Sequence, residues 1–157
     1  MSKSNEVPTQ VPEQITHEIV VDAPVARVWA IITEAEHIRE WFAFDGARID
    51  LRPGGALVMT WKEHGTFHAR IERVEPTRRF AYRWAHLADQ QPGDGNSTLV
   101  EFTLSPEGDG TRLRVVESGF RELDMPETEQ AQWAADNIQG WTGGFTALQG
   151  YAQRVAA

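Results

Sequence analysis

The sequence contains no cysteine. That removes disulfides, thiolate metal sites and cysteine nucleophiles together. It is compatible with a reducing compartment, and a cytoplasmic location is the expectation. Basic residues are the minority, 15 Lys and Arg against 23 Asp and Glu, for a net charge of −8 at pH 7. A chain of that sign is repelled by phosphate backbones and anionic lipid, so neither nucleic acid nor a membrane is expected as a main partner. No run approaches the roughly 20 apolar residues needed to span a bilayer. Residues 1–13 carry no apolar signal-peptide core. Gly-x-Ser-x-Gly, phosphate-loop and dinucleotide fingerprints are all missing. Gly108-Asp109-Gly110 reads as a hairpin turn rather than a phosphate cradle. His64 and His68 are four apart, but in a strand that spacing separates them by about 13 Å, too far for one metal. His17 and His37 have no partner motif. No metal and no cofactor are expected.

What is abundant is aromatic surface: six Trp, seven Phe and two Tyr in 157 residues. Such side chains build cores, and they also line pockets. The length fits one domain able to bury roughly two-thirds of its unfolded surface.

Residues 1–13 are polar, hold two prolines and show no period, so a disordered leader is expected, followed by one domain over 14–157. Gln14–Val21 is β-branched and half alternating, a strand. Asp22-Ala23-Pro24 marks a helix start with Asp22 as cap. Val25, Val28, Trp29 and Ile32 then share a helical face. A second short helix is expected over about Glu34–Phe42, with Ile38, Trp41 and Phe42 at three and four spacing. From Ala47 the period becomes two. Strands are expected around Ala47–Leu51, Leu57–Trp61, Phe67–Ile71, Phe80–His86, Val100–Leu104 and Leu113–Glu117, separated by Gly- and Pro-rich turns. A long helix follows from Met125-Pro126-Glu127 to about Val155, with Ala134, Asn137, Trp141, Phe145 and Leu148 on one stripe. Gly140, Gly143, Gly144 and Gly150 weaken it by about 1 kcal/mol each relative to Ala. Such glycines survive where something packs closely or the helix bends.

The short links favour an antiparallel meander. One apolar sheet face needs a cover, and the last helix is the only long one available. The expected class is therefore α+β: a curved antiparallel sheet gripping a long C-terminal helix, with a cavity between them.

Several segments carry a family resemblance. They are Ala23-Pro24-Val25-Ala26-Arg27-Val28-Trp29, Glu40-Trp41-Phe42 and Asp50-Leu51-Arg52-Pro53-Gly54-Gly55, then Glu75-Pro76 with Tyr82 and Trp84, and finally Glu117-Ser118-Gly119-Phe120 and Gly140-Trp141. In this order they resemble the START-like (SRPBCC, Bet v-like) superfamily. Within it they are similar to bacterial homologues of the C-terminal domain of the activator of heat-shock protein 90 ATPase. The resemblance covers roughly residues 14–155. It implies a helix-grip fold with a hydrophobic ligand cavity; relatives in the wider group include co-chaperones, polyketide cyclases and lipid carriers.

Three polar residues stand out. Glu117 shares a face with Leu113 and Val115, so it points beneath the helix, where a carboxylate must find partners or become neutral. The alternative is a strand-end Glu that reaches solvent or a helix N-terminus. His86 ends the Phe80–Tyr82–Trp84 face and is a candidate ligand contact or a base acting with Glu117; the alternative is an exposed loop histidine. Asn137, one turn before Trp141, can orient a carbonyl or hydroxyl, or else bond neighbouring backbone. Trp41, Met59, Trp61, Phe67, Tyr82, Trp84 and Trp141 supply the candidate pocket wall, with plain core packing as the competing account. Arg78-Arg79 and Arg112/Arg114 read as a solvated outer face.

The leading expectation is binding of an apolar or aromatic small molecule between sheet and helix. An enzyme of cyclase or hydrolase type needs His86 and Glu117 within hydrogen-bond reach. A chaperone-regulating interaction needs an exposed apolar patch. No catalytic residue is assigned, and a homodimer is left open.

Overall fold

The computed structural model describes residues 10–155; most of the expected leader, residues 1–9, lies outside them. The elements run β1 (Gln14–Val21), α1 (Val25–Thr33), α2 (Ala35–Trp41), β2 (Ala47–Ile49), β3 (Ala56–Trp61), β4 (Gly65–Glu75), β5 (Arg79–Ala85), β6 (Ser97–Glu107), β7 (Gly110–Ser118) and α3 (Glu127–Val155), with a 3-10 turn at Phe120–Glu122. All seven strands form one antiparallel sheet in the order β1-β7-β6-β5-β4-β3-β2. Six consecutive strands meander, and β1 closes the far side by pairing with β7. The sheet is curved and open, with α3 laid across it.

Alternation decides which face is buried. Leu57 and Met59, Ala69 and Ile71, Phe80 and Tyr82, Val100 and Phe102, and Leu113 and Val115 all sit within 4% of full burial on the inner face. They meet Val28, Ile31 and Ile32 from α1, Ile38 and Trp41 from α2, and Trp141, Phe145 and Leu148 from α3. A bulge between Ile71 and Arg73 inserts one residue into β4, so that Val74 rather than Arg73 faces Phe80.

Four expectations need correction. The packed domain starts before Gln14: Val11 is buried, and its carbonyl accepts from Arg121 Nε at 2.9 Å. The cap of α1 is Pro24, which has no side-chain capping bond, so Asp22 does not play that role. β6 runs on through Pro106, which pairs with Thr111. β2 ends at Ile49, leaving Leu51 38% exposed.

The Arg52-Pro53-Gly54-Gly55 turn shows two different uses of glycine. Gly54 has φ +84 with open space around it. Gly55 sits so close to the backbone just after β2 that a Cβ would lie 2.0 Å from the Asp50 carbonyl oxygen. Gly54→Ala is expected to cost about 1–2 kcal/mol for the left-handed backbone alone. Gly55→Ala should cost more than about 2 kcal/mol, because backbone must move. Urea titration of both variants checks the order; equal losses would contradict the close-approach argument.

Candidate functional site

The inner face of β7 ends in a charge. Glu117 continues the Leu113–Val115 row and has no exposed surface. Among the described residues no cation reaches it. Instead four side chains donate to it from three elements. Trp84 Nε1 on β5 and Thr98 Oγ1 on β6 donate to Oε2 at 3.0 and 2.6 Å. Trp141 Nε1 on α3 donates to Oε1 at 2.8 Å. Asn137 Nδ2, one helical turn earlier, donates to both oxygens at 3.0 and 2.9 Å. A carboxylate accepts at both oxygens, and these donors fill both. The cluster therefore ties α3 to the middle of the sheet. Burial, and after it the neighbouring Glu117 charge, hold the Tyr82 phenol well above its ordinary value of 10.0.

Beside this cluster lies a pocket of ≈ 570 Å³ between α2, the β3–β5 end of the sheet and α3. Phe42, the residue just after α2, is part of its wall. Its ring stacks on Trp141 at 5.2 Å and 10°, meets Trp61 edge-on at 5.0 Å, and lies 6.1 Å from Trp84. The Phe42 carbonyl accepts from Trp61 Nε1 at 2.7 Å, which locks that indole in place. Trp41 Nε1 is likewise tied to the Ile31 carbonyl at 3.0 Å. On the helix side, Gly140, Gly143 and Gly144 line the pocket with bare backbone. Phe44, 58% exposed, stands at the rim.

Six of the ten residues singled out from sequence line this pocket: Trp41, Trp61, Phe67, Trp84, His86 and Asn137. Four do not. Met59, Tyr82 and Trp141 are packed into the core, and Glu117 lies behind the wall, touching it through Trp84, Thr98 and Asn137. Sequence reading missed Phe42, Thr98, Phe120 and Trp133. Trp133 was within reach, since steps of four back from Trp141 through Asn137 arrive at it.

His86 falls just past β5. Its Nδ1 lies 2.9 Å from the Asn96 carbonyl, and its ring stands edge-on to Trp133 at 5.2 Å. Both oxygens of Glu117 are taken by other partners, and no hydrogen bond joins it to His86. The acid–base pair required by the enzyme alternative is not assembled. A second hollow of ≈ 830 Å³ lies elsewhere, lined by polar groups including Arg70, Arg83, Arg121 and Glu122. It contains none of the candidate residues.

Residues 22–153 match the family model described as Activator of Hsp90 ATPase homolog 1-like protein. The chain belongs to that family. Its START-like fold recurs in solved structures. MLL2253 from Mesorhizobium loti is 27% identical, with 90% of this chain and 97% of that one covered and a TM-score of 0.71. CalU16 from Micromonospora echinospora is 29% identical over 87% of this chain and 63% of its own, with a TM-score of 0.65. DynU16, from the dynemicin biosynthetic locus, is 25% identical with a TM-score of 0.71; 90% of this chain matches 48% of DynU16, so the chain spans about half its length. Among curated proteins none matches in sequence. Among the described residues of this family member, no helix is long and apolar enough to cross a membrane.

Proposed function

We propose that this protein binds an apolar, aromatic small molecule in the pocket between α2, the sheet and α3. The observation that carries the reading is the wall itself: four indoles and four phenyl rings around ≈ 570 Å³, with polar side chains confined to a few positions. Apolar lining with a few placed polar groups is the usual build of a small-molecule site. The helix glycines support it. A Cβ at Gly140 or Gly143 would meet nothing within 4 Å, so packing within the protein does not demand a glycine at either position.

The test uses N-phenyl-1-naphthylamine, a neutral aromatic probe whose emission rises in apolar surroundings. Saturable binding at one site per chain is expected, together with a fall in tryptophan emission, since Trp41, Trp61, Trp84 and Trp133 line the pocket. At a hundred times Kd, binding adds about 2.7 kcal/mol, which is a rise of roughly 5–10 °C in Tm for a chain of this size. Linear, non-saturating emission with no change in Tm would remove the proposal.

A further inference from the structure

Resting on that binding reading, the hydrogen-bond accounts of the pocket say which aromatic molecules it takes. Most of the lining donors are spent inside the protein. Trp84 Nε1 and Thr98 Oγ1 are given to Glu117, and so is one of the two N–H groups of Asn137 Nδ2, shared between both carboxylate oxygens. Trp41 Nε1 and Trp61 Nε1 are given to the backbone carbonyls of Ile31 and Phe42. His86 Nδ1 faces the Asn96 carbonyl, which can only accept, so that nitrogen carries the hydrogen. The hydroxyl of Thr98 also accepts from Trp84 and has nothing left to give.

What remains is a set of acceptors. The Asn137 amide is held with nitrogen toward the carboxylate; the flipped form would set its oxygen against two carboxylate oxygens. Its Oδ1 has no partner in the protein. Since no buried side-chain oxygen among the described residues lacks a partner, Oδ1 is open to the pocket or to solvent. In the neutral imidazole of His86, Nε2 carries a lone pair. Asp136, also on the lining, has one oxygen engaged by Gln132 and the other free. The side chains with a donor to spare are the half-buried Trp133, the exposed His64 and Asn137 through its second N–H.

The geometry points to a ligand that is itself a hydrogen-bond donor: an aromatic molecule bearing a hydroxyl or an amine N–H, and not a carboxylate. Glu117 is the cause. By drawing in Trp84, Thr98 and one N–H of Asn137, the buried carboxylate leaves the facing wall richer in acceptors than in donors. A ligand carboxylate would meet Oδ1, Nε2 and Asp136 with like polarity; a phenol or arylamine would satisfy one or more of them. An apolar ligand without a donor leaves them unpaired on desolvation.

Four matched probes test this by calorimetry at neutral pH: naphthalene, 2-naphthol, 2-methoxynaphthalene and 2-naphthoate. 2-Naphthol should bind about tenfold tighter than 2-methoxynaphthalene, the worth of one well-made hydrogen bond, and 2-naphthoate should be the weakest. In His86→Phe, which leaves the Glu117 cluster intact, the advantage of the hydroxyl should shrink at least threefold. If the methoxy compound or naphthoate binds as tightly as the naphthol, the donor requirement is overturned while the pocket stands as an aromatic site. If none of the four binds, naphthalene included, the binding reading fails and this inference with it. The comparison on the unaltered protein decides the matter even if His86→Phe does not fold.

Discussion

Glu117→Ala is expected to lower stability by about 4 kcal/mol, a fall of roughly 8–16 °C in Tm for a chain of this length. The reason is not a lost attraction between charges, since no cation among the described residues pairs with Glu117. It is that Trp84, Thr98, Asn137 and Trp141 all aim donors at one buried point. Removing the acceptor strands them, and each stranded buried donor costs about 1–3 kcal/mol unless water enters. Glu117→Gln keeps one oxygen but sets an NH2 against donors, so it should cost about half as much. A double-mutant cycle of Glu117→Gln with Thr98→Val should show coupling of about 1 kcal/mol, since the pair is bonded at 2.6 Å. A loss below 1 kcal/mol in Glu117→Ala by denaturant titration would mean that the cluster does not hold α3 to the sheet.

Most of the fold is legible in the sequence because strict alternation reports a half-buried sheet and little else competes with it. The bulge in β4 could have inverted the reading, but it falls after Ile71, the last residue used to set that face. Glu117 was legible for the same reason: one residue in three on an otherwise apolar row must point inward. Its partners were not, because they come from β5, β6 and α3, and nothing local pairs Asn137 with position 117. Of the readings open for His86, a base acting with Glu117 does not fit the geometry. β5 stops at Ala85, and the Asn96 carbonyl captures the ring beyond the end of the strand. Phe42 reads in the sequence as a helix-face residue and not as pocket wall, because helical spacing describes it only while the helix continues. At φ −133, ψ −74 it leaves α2, and its ring turns into the pocket. The helix glycines are expected where something packs closely or the helix bends. Gly144 has a close neighbour, with Phe42 and Trp41 at 3.4 and 3.5 Å from a notional Cβ, whereas Gly140 and Gly143 face empty space.

That empty space yields the prediction with the largest effect on binding. Gly140→Leu/Gly143→Leu places two branched side chains where the pocket floor is bare backbone. Because neither Cβ meets an atom within 4 Å, the fold should accept both. Helix propensity should even improve, by up to about 1 kcal/mol per replaced glycine. Binding should move the other way. A ligand lying against the helix backbone would have to displace or compress the new side chains, and overpacking costs about 1–3 kcal/mol per site; the affinity of N-phenyl-1-naphthylamine should fall at least a hundredfold. The single alanines separate the two effects: Gly140→Ala and Gly143→Ala should each raise Tm and weaken the probe only a few-fold. Stability that falls in the alanine variants would show that these glycines serve the helix itself. Unchanged probe affinity in the double leucine variant, with Tm held or raised, would place the ligand somewhere other than the floor between Phe42 and α3.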